Sequence, residues 1–150
     1  MNLIEAWFDG VCEPKNPGGH GAWGAVVWVD GRTVYEEGGY CGHGPSISNN
    51  VAEYSGAVAA LTAAKKHTGV IVLRGDSKLV INQLKGEWKV NGGLYMPFYQ
   101  RAKALRDELQ DRLNLVWVPR AENEICDVLS KQVLHDRGIE FRIQPEARRA

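Results

Sequence analysis

The sequence predicts an α/β fold built on a mixed sheet, with antiparallel hairpins at one side and parallel crossover units at the other. Three observations carry this. Short apolar runs rich in Val, Trp and Tyr fill the first third of the chain and are separated by turn-forming residues. From Asn49 onward the apolar period changes to three or four residues. Beyond that, apolar runs alternate with helical patterns, as parallel strands joined by helices require.

Leu3 to Phe8 reads as the first strand and Ala22 to Val29 as the second. Between them, Cys12 to Gly19 is turn chemistry throughout, with two prolines and two glycines. Thr33 to Cys41 is the third strand, entered through the turn Asp30-Gly31. Asn49 or Asn50 can cap a helix whose apolar positions are Val51, Tyr54, Val58 and Leu61, stopped by Thr68-Gly69. Val70 to Leu73 is an apolar run expected to be a buried strand. Ser77 to Leu84 reads as a short helix, and Met96 to Arg112 as a longer one with Ala102, Leu105 and Leu109 on one face. Leu113 to Val118 is expected to be another buried strand, ended by Pro119. Ala121 to Arg137 is the last helix, with Gly138 as its stop. The tail from Ile139 to Ala150 is polar and is expected to be loosely held.

The chain has 150 residues, 44% apolar and 24% charged, which suits one globular domain. Its 18 basic and 18 acidic residues cancel, so no uniform basic field exists and any polyanion must be met by local patches. No apolar run approaches the roughly 18 residues of a membrane span, and Met1 to Glu5 lacks the pattern of a secretory leader. Three cysteines, Cys12, Cys41 and Cys126, suit neither a zinc cage nor a disulfide framework, so a reducing cytoplasm is expected.

Several acids occupy suggestive positions. Asp9 ends the first strand and Asp76 the fourth. If those strands are parallel neighbours, both carboxylates project at the edge where open sheets bind ligands. Taken alone, however, Asp9-Gly10 also fits a turn, and Asp76-Ser77 also fits a helix cap. By helical wheel Glu53 falls at the edge of its helix's apolar face and reads as solvated, and Asp127 lies toward the polar side of the last helix. Periodicity does not select these four.

The words around them are more specific. Phe8-Asp9-Gly10-Val11-Cys12-Glu13-Pro14-Lys15-Asn16-Pro17-Gly18-Gly19, followed by Gly21 and Gly24, resembles the opening signature of type 1 ribonuclease H. Ser48-Asn49-Asn50-Val51-Ala52-Glu53-Tyr54 resembles its second motif, and Arg74-Gly75-Asp76-Ser77-Lys78-Leu79-Val80 its third. Asn123-Glu124-Ile125-Cys126-Asp127-Val128-Leu129 is similar to the fourth. All four stand in family order between Met1 and Leu134, with similarity to the archaeal-type branch that lacks a basic protrusion.

The resemblance implies a catalytic domain over residues 1–137, with 138–150 as a polar tail. It implies an RNase H-like five-stranded mixed sheet, three antiparallel strands then two parallel, flanked by helices on both faces. It further implies hydrolysis of the RNA strand of an RNA–DNA hybrid with two Mg²⁺ or Mn²⁺ ions, by a monomer without an obligate protein partner or a membrane, leaving 5′-phosphate and 3′-hydroxyl ends. Asp9, Glu53, Asp76 and Asp127 would form the acidic tetrad, with Asp9 between the ions, Glu53 and Asp76 on one side and Asp127 on the other. Carboxylates suit this role because hard, oxygen-seeking cations offset their mutual repulsion. Asn16, Ser48 and Asn49 match positions that contact the hybrid, although turn and cap roles also fit them. Lys78 either reaches a phosphate or is solvated. Trp88 either stacks on the nucleic acid or packs the domain edge.

Two features depart from many family members. Pro119-Arg120-Ala121-Glu122 carries no His, so Arg120 either replaces it as a mobile cation near the scissile phosphate or caps a strand end. No Lys/Arg-rich insertion follows the third motif, so few phosphate contacts and a shallow salt dependence are expected. The tail arginines Arg142, Arg148 and Arg149 read as solvated or as further phosphate contacts. Rival readings are a hybrid-binding module without catalysis, and a related nuclease that also cuts double-stranded RNA.

Overall fold

The structure is a computed structural model that describes residues 2–142. Five strands form one sheet in the order β3-β2-β1-β4-β5. β1 (Asn2–Glu13), β2 (His20–Val29) and β3 (Arg32–His43) are antiparallel neighbours. β4 (Gly69–Gly75) runs parallel to β1, and β5 (Leu113–Trp117) parallel to β4. The mixed sheet expected from the sequence is therefore present, with the antiparallel and parallel halves meeting at β1.

Helices cover both faces. Ile4, Ala6 and Phe8 alternate along β1 and bury into the main core with Ala25, Val27, Ile71 and Leu73. That core is closed by α1 (Asn49–Ala64), α2 (Lys78–Lys85) and α3 (Met96–Leu109). Tyr54 is its largest fully buried side chain, and its hydroxyl donates to Gln83 at 2.7 Å, so the ring stays in the core without an orphaned polar tip. On the other face, α4 (Glu124–Asp136) packs on the antiparallel strands and buries Leu134 against Val11 and Ala22. A Cβ at Gly24 would overlap the carbonyl oxygen of Cys126, so only glycine lets α4 sit this close to β2.

Several boundaries differ from expectation. The first strand continues through Asp9 to Glu13, because the whole stretch from Ile4 to Glu13 pairs with β2. Ser48, not Asn49 or Asn50, caps α1 by accepting from the Val51 amide at 3.2 Å. The third helix stops at Leu109 and tightens into a 3₁₀ turn, Gln110–Arg112. The last helix begins at Glu124, after a separate 3₁₀ turn over Arg120–Glu122. β5 is not a buried strand: it is the sheet edge, and Val116 and Trp117 are exposed. Val70 of β4 is likewise exposed.

Residues 139–142, the described start of the tail, are more tightly held than the tail's polarity suggests. Ile139 and Phe141 pack on the Val11–Ala22–Leu134 cluster. Arg142 reaches back to β1, its backbone N–H and guanidinium Nε both donating to Glu13 Oε1, at 2.9 and 3.1 Å. Arg148 and Arg149 lie outside the described residues. No helix among the described residues is long and apolar enough to cross a membrane.

Candidate active site

The sheet register brings the first two acids together. Trp7 of β1 lies opposite Arg74 of β4, so Asp9, where β1 runs on past its parallel partner, and Asp76, just after β4 ends, emerge side by side. Glu53 joins them from the second turn of α1. The glycine after Asp9 makes this approach possible, because a Cβ at Gly10 would overlap the backbone of Ala52 and Glu53. One carboxylate oxygen from each of Asp9, Glu53 and Asp76 lies within 4.8 Å of the others.

Burial sets the electrostatics. Asp9 and Glu53 are only 5% and 6% exposed, against the solvated Glu53 expected from its helical wheel. The wheel describes one helix, whereas Glu53 is buried by the strand that Gly10 admits. Loss of solvation, then the charge of Asp76, pushes the Asp9 carboxyl up to about 8, although the Gly10 amide donates to its Oδ1 at 2.9 Å. Glu53 is driven well above the ordinary carboxylate range by burial first, then by Asp9 and Asp76. Burial and the same two aspartates also raise the Cys126 thiol. Glu53 Oε1 is buried without a hydrogen-bond partner. Three converging carboxyls, one with an orphaned oxygen, suit a hard divalent cation in both charge and donor type.

Asp127 lines the same cavity, of about 410 Å³, but stands outside the close trio. It is held by cations of its own chain. Lys131 Nζ lies 3.0 Å from its Oδ2, one helical turn on, and Arg120 Nη2 lies 3.7 Å from its Oδ1. The Arg120 side chain is 63% exposed and lines the cavity rim. Asn123, in the last position before α4, donates its amide to the Phe8 carbonyl at 2.8 Å and to Asp76 at 3.3 Å.

Of the candidate substrate contacts, Asn49 lines this cavity, whereas Asn16, Ser48, Lys78 and Trp88 do not. Asn16 Oδ1 accepts from the Asn49 backbone N–H at 2.8 Å, and Gly18 N–H donates to Ile47 at 2.9 Å, so the β1–β2 and β3–α1 loops are bound together. The Ser48 hydroxyl is engaged as the helix cap. The Lys78 ammonium sits 4.9 Å above the Trp117 ring, whose Nε1 donates to the Asp76 carbonyl at 3.1 Å. Trp88 packs no core: it is 46% exposed, in the loop after α2.

Sequence reasoning assigned no role to Lys131, Asn123 or the Glu13–Arg142 pair. Lys131 was findable, since it stands four residues after Asp127 on a helix. Asn123 was visible as a residue directly before a helix start. Nothing local signals that Arg142 returns to Glu13.

Comparison with known proteins adds an independent line. A family model described as "Reverse transcriptase-like" matches residues 8–133. The chain is 42% identical over 123 residues to the bifunctional protein Rv2228c of Mycobacterium tuberculosis, covering 79% of this chain and 32% of that protein. It thus spans about a third of that relative's length. It is 38% identical to ribonuclease HI of Halobacterium salinarum, covering 89% of this chain and 65% of the relative. The crystal structure of RNase H1 from H. salinarum superposes with a TM-score of 0.78 at 38% identity, over 89% of this chain and 98% of that one. The structure of LC11-RNase H1 in complex with RNA/DNA hybrid superposes with a TM-score of 0.73 at 25% identity, over 87% of this chain and 99% of that one.

Proposed function

The chain belongs to the type 1 ribonuclease H family, and from that premise we propose that it is a metal-dependent endonuclease that hydrolyses the RNA strand of RNA–DNA hybrids. The observation that carries this reading is the meeting of Asp9, Glu53 and Asp76 oxygens within 4.8 Å, with one buried Glu53 oxygen left unpartnered.

In this reading Asp9, Glu53 and Asp76 hold one Mg²⁺ or Mn²⁺, and Asp9 and Asp127 share a second. Two such ions supply an activated water and a countercharge for the leaving 3′ oxygen in an in-line displacement at phosphorus. The chain's own residues do the rest. Asp9 would serve as the shared ligand because it feels the charge of Asp76 and, more weakly, that of Asp127, and also meets the Glu53 side chain. Asn123 orients the Asp76 carboxylate by donating its amide to Oδ1. Glu53 also stands where a carboxylate can accept from a ribose 2′-hydroxyl, the group that separates RNA from DNA. Asn16, Ser48 and Asn49, on the two joined loops, guide the hybrid backbone into the cavity. Lys78, seated on Trp117, and the exposed Trp88 extend the track for the DNA strand. Arg120 meets the scissile phosphate from the rim. The products carry 5′-phosphate and 3′-hydroxyl ends.

All four acids come from one chain, which suits action as a monomer. The three free cysteines suit a reducing cytoplasm. The test is a gel assay on end-labelled RNA–DNA, RNA–RNA and DNA–DNA duplexes with Mg²⁺, Mn²⁺ or chelator. Cleavage of RNA in the hybrid alone, lost with chelator and in Asp9→Asn, is the expected result. Binding without cleavage under every metal condition would replace the nuclease with a hybrid-binding module, and cleavage of the RNA duplex would widen the substrate class.

A further inference from the structure

The four acids are not equivalent before any ion arrives. Asp9, Glu53 and Asp76 form a close trio, with Glu53 Oε1 unpartnered. Asp127 is different: Lys131 Nζ lies 3.0 Å from one of its carboxylate oxygens, and Arg120 lies 3.7 Å from the other. The two contacts are unequal. Arg120 is long in distance and largely exposed, so screening leaves it weak. The Lys131 and Asp127 side chains are each about three-quarters buried, and the ammonium is at charge-assisted hydrogen-bond distance.

We propose that Lys131 acts as an internal stand-in cation that must leave Asp127 before an ion can bind there, so that it sets the affinity of the second ion and leaves the first almost untouched. The inference rests on the metal reading above. Two physical effects work in the same direction. The Lys131–Asp127 pair has to be broken for the carboxylate to turn to an ion, and the ammonium repels any cation that approaches while it stays. Neither effect weighs equally on the trio, which has no cation of its own chain within ion-pair distance among the described residues. The structure also offers Lys131 somewhere to go. Lys131 borders both the acidic cavity and a second groove of about 580 Å³, which is also lined by Val128, Gln132, His135 and Phe141.

The test is Mn²⁺ binding by the full chain without nucleic acid, counted by electron paramagnetic resonance and by titration calorimetry. The wild type is expected to bind one ion more tightly than a second. Lys131→Gln is expected to tighten the second ion by about three- to ten-fold, the range that loss of one partly buried pair commands, with the first within two-fold of wild type. Lys131→Arg keeps the charge and is expected to behave as wild type, and Asp127→Asn to lose the second ion alone. Lys66→Gln removes an exposed cation beyond the end of α1, thirteen residues after Glu53, and serves as the control for bulk charge. Equal second-ion affinities in wild type and Lys131→Gln overturn the proposal, as does an equal gain in Lys66→Gln. No bound ion in the wild type, or unchanged binding in Asp9→Asn, overturns the metal reading itself and the proposal with it.

Discussion

The amide of Asn123 donates to the carboxylate of Asp76 at 3.3 Å, and the same nitrogen donates to the Phe8 carbonyl at 2.8 Å. One side chain at the mouth of α4 therefore ties that helix both to the middle of β1, beside Asp9, and to Asp76 just after β4. Asn123 and Phe8 are both buried, so removing the amide leaves the Phe8 carbonyl short of a donor.

Asn123→Ala is accordingly expected to lower stability by about 1–3 kcal/mol, the cost of an unsatisfied buried polar group. It is also expected to reduce kcat more than it raises KM, because Asp76 loses its orientation while the loops proposed to bind the hybrid are untouched. Chemical denaturation and steady-state kinetics on a labelled hybrid check both. Unchanged kcat would remove Asn123 from the positioning of Asp76.

The pH dependence of the metal-free protein follows from Asp9. An unfolded aspartate releases its proton near pH 4, whereas the folded Asp9 holds it up to about 8. Between those values the folded state binds more protons than the unfolded state, so stability falls as pH rises, and the loss is complete above about pH 8. Glu53, raised in the same direction, adds to the slope. In chelator, Tm is expected to decrease from pH 5 to pH 8.5. Asp9→Asn flattens the curve, and Mn²⁺ at pH 8 restores Tm in the wild type but not in that variant. A Tm that rises over this window would contradict the assignment.

Gly10 tests how Glu53 is placed. A Cβ there would overlap the Glu53 backbone nitrogen and the Ala52 carbonyl carbon, atoms of a helix that cannot give way cheaply. Gly10→Ala is expected to cost about 3 kcal/mol or more, at or above the upper end for overpacking. The variant that does fold is expected to lose most activity, since α1 must retreat and carry Glu53 away from Asp9. Denaturant midpoints and residual cleavage rates measure the two effects.

Gly10 also explains why the sequence was legible for Asp9 and Asp76 but not, by pattern alone, for Glu53. The two aspartates end apolar runs, and strand direction alone places them together. Glu53 becomes buried only because a distant strand lacks a side chain, which no helical wheel contains. The motif words carried what periodicity missed. The start of α4 was blurred because a 3₁₀ turn over Arg120–Glu122 continues the helical pattern backward. Residues 139–142, the described start of the tail, are held more firmly than expected because composition counts charges, whereas packing there depends on Ile139 and Phe141 meeting strands more than a hundred residues away.

Arg142 makes the described part of the tail a structural element. Glu13 is almost fully buried, and Arg142 supplies its ion pair while also donating to the Cys12 carbonyl at 2.8 Å. Arg142→Ala is expected to destabilise by about 1–3 kcal/mol, since it strands a buried carboxylate. Glu13→Gln in the Arg142→Ala background is expected to recover part of that loss, because the amide carries no charge to strand. A double-mutant cycle in denaturant measures the coupling, and a value near zero would mean that Ile139 and Phe141 hold the tail unaided.

Arg120 separates chemistry from release. Its guanidinium is mostly exposed and lies 3.7 Å from Asp127, close enough to meet a phosphate at the rim yet free to move. A group that neutralises the product phosphate as it departs affects multiple turnover more than the first cut, since product release follows bond breaking. Arg120→Ala is therefore expected to lower the steady-state rate by about ten-fold, the effect of roughly 1.4 kcal/mol on one step, while single-turnover cleavage with excess enzyme changes less than three-fold. Arg120→Lys keeps the charge and is expected to recover part of the steady-state rate. Equal losses in both regimes would instead put Arg120 in the bond-breaking step, and no loss in either would leave it as a surface cation at the end of β5.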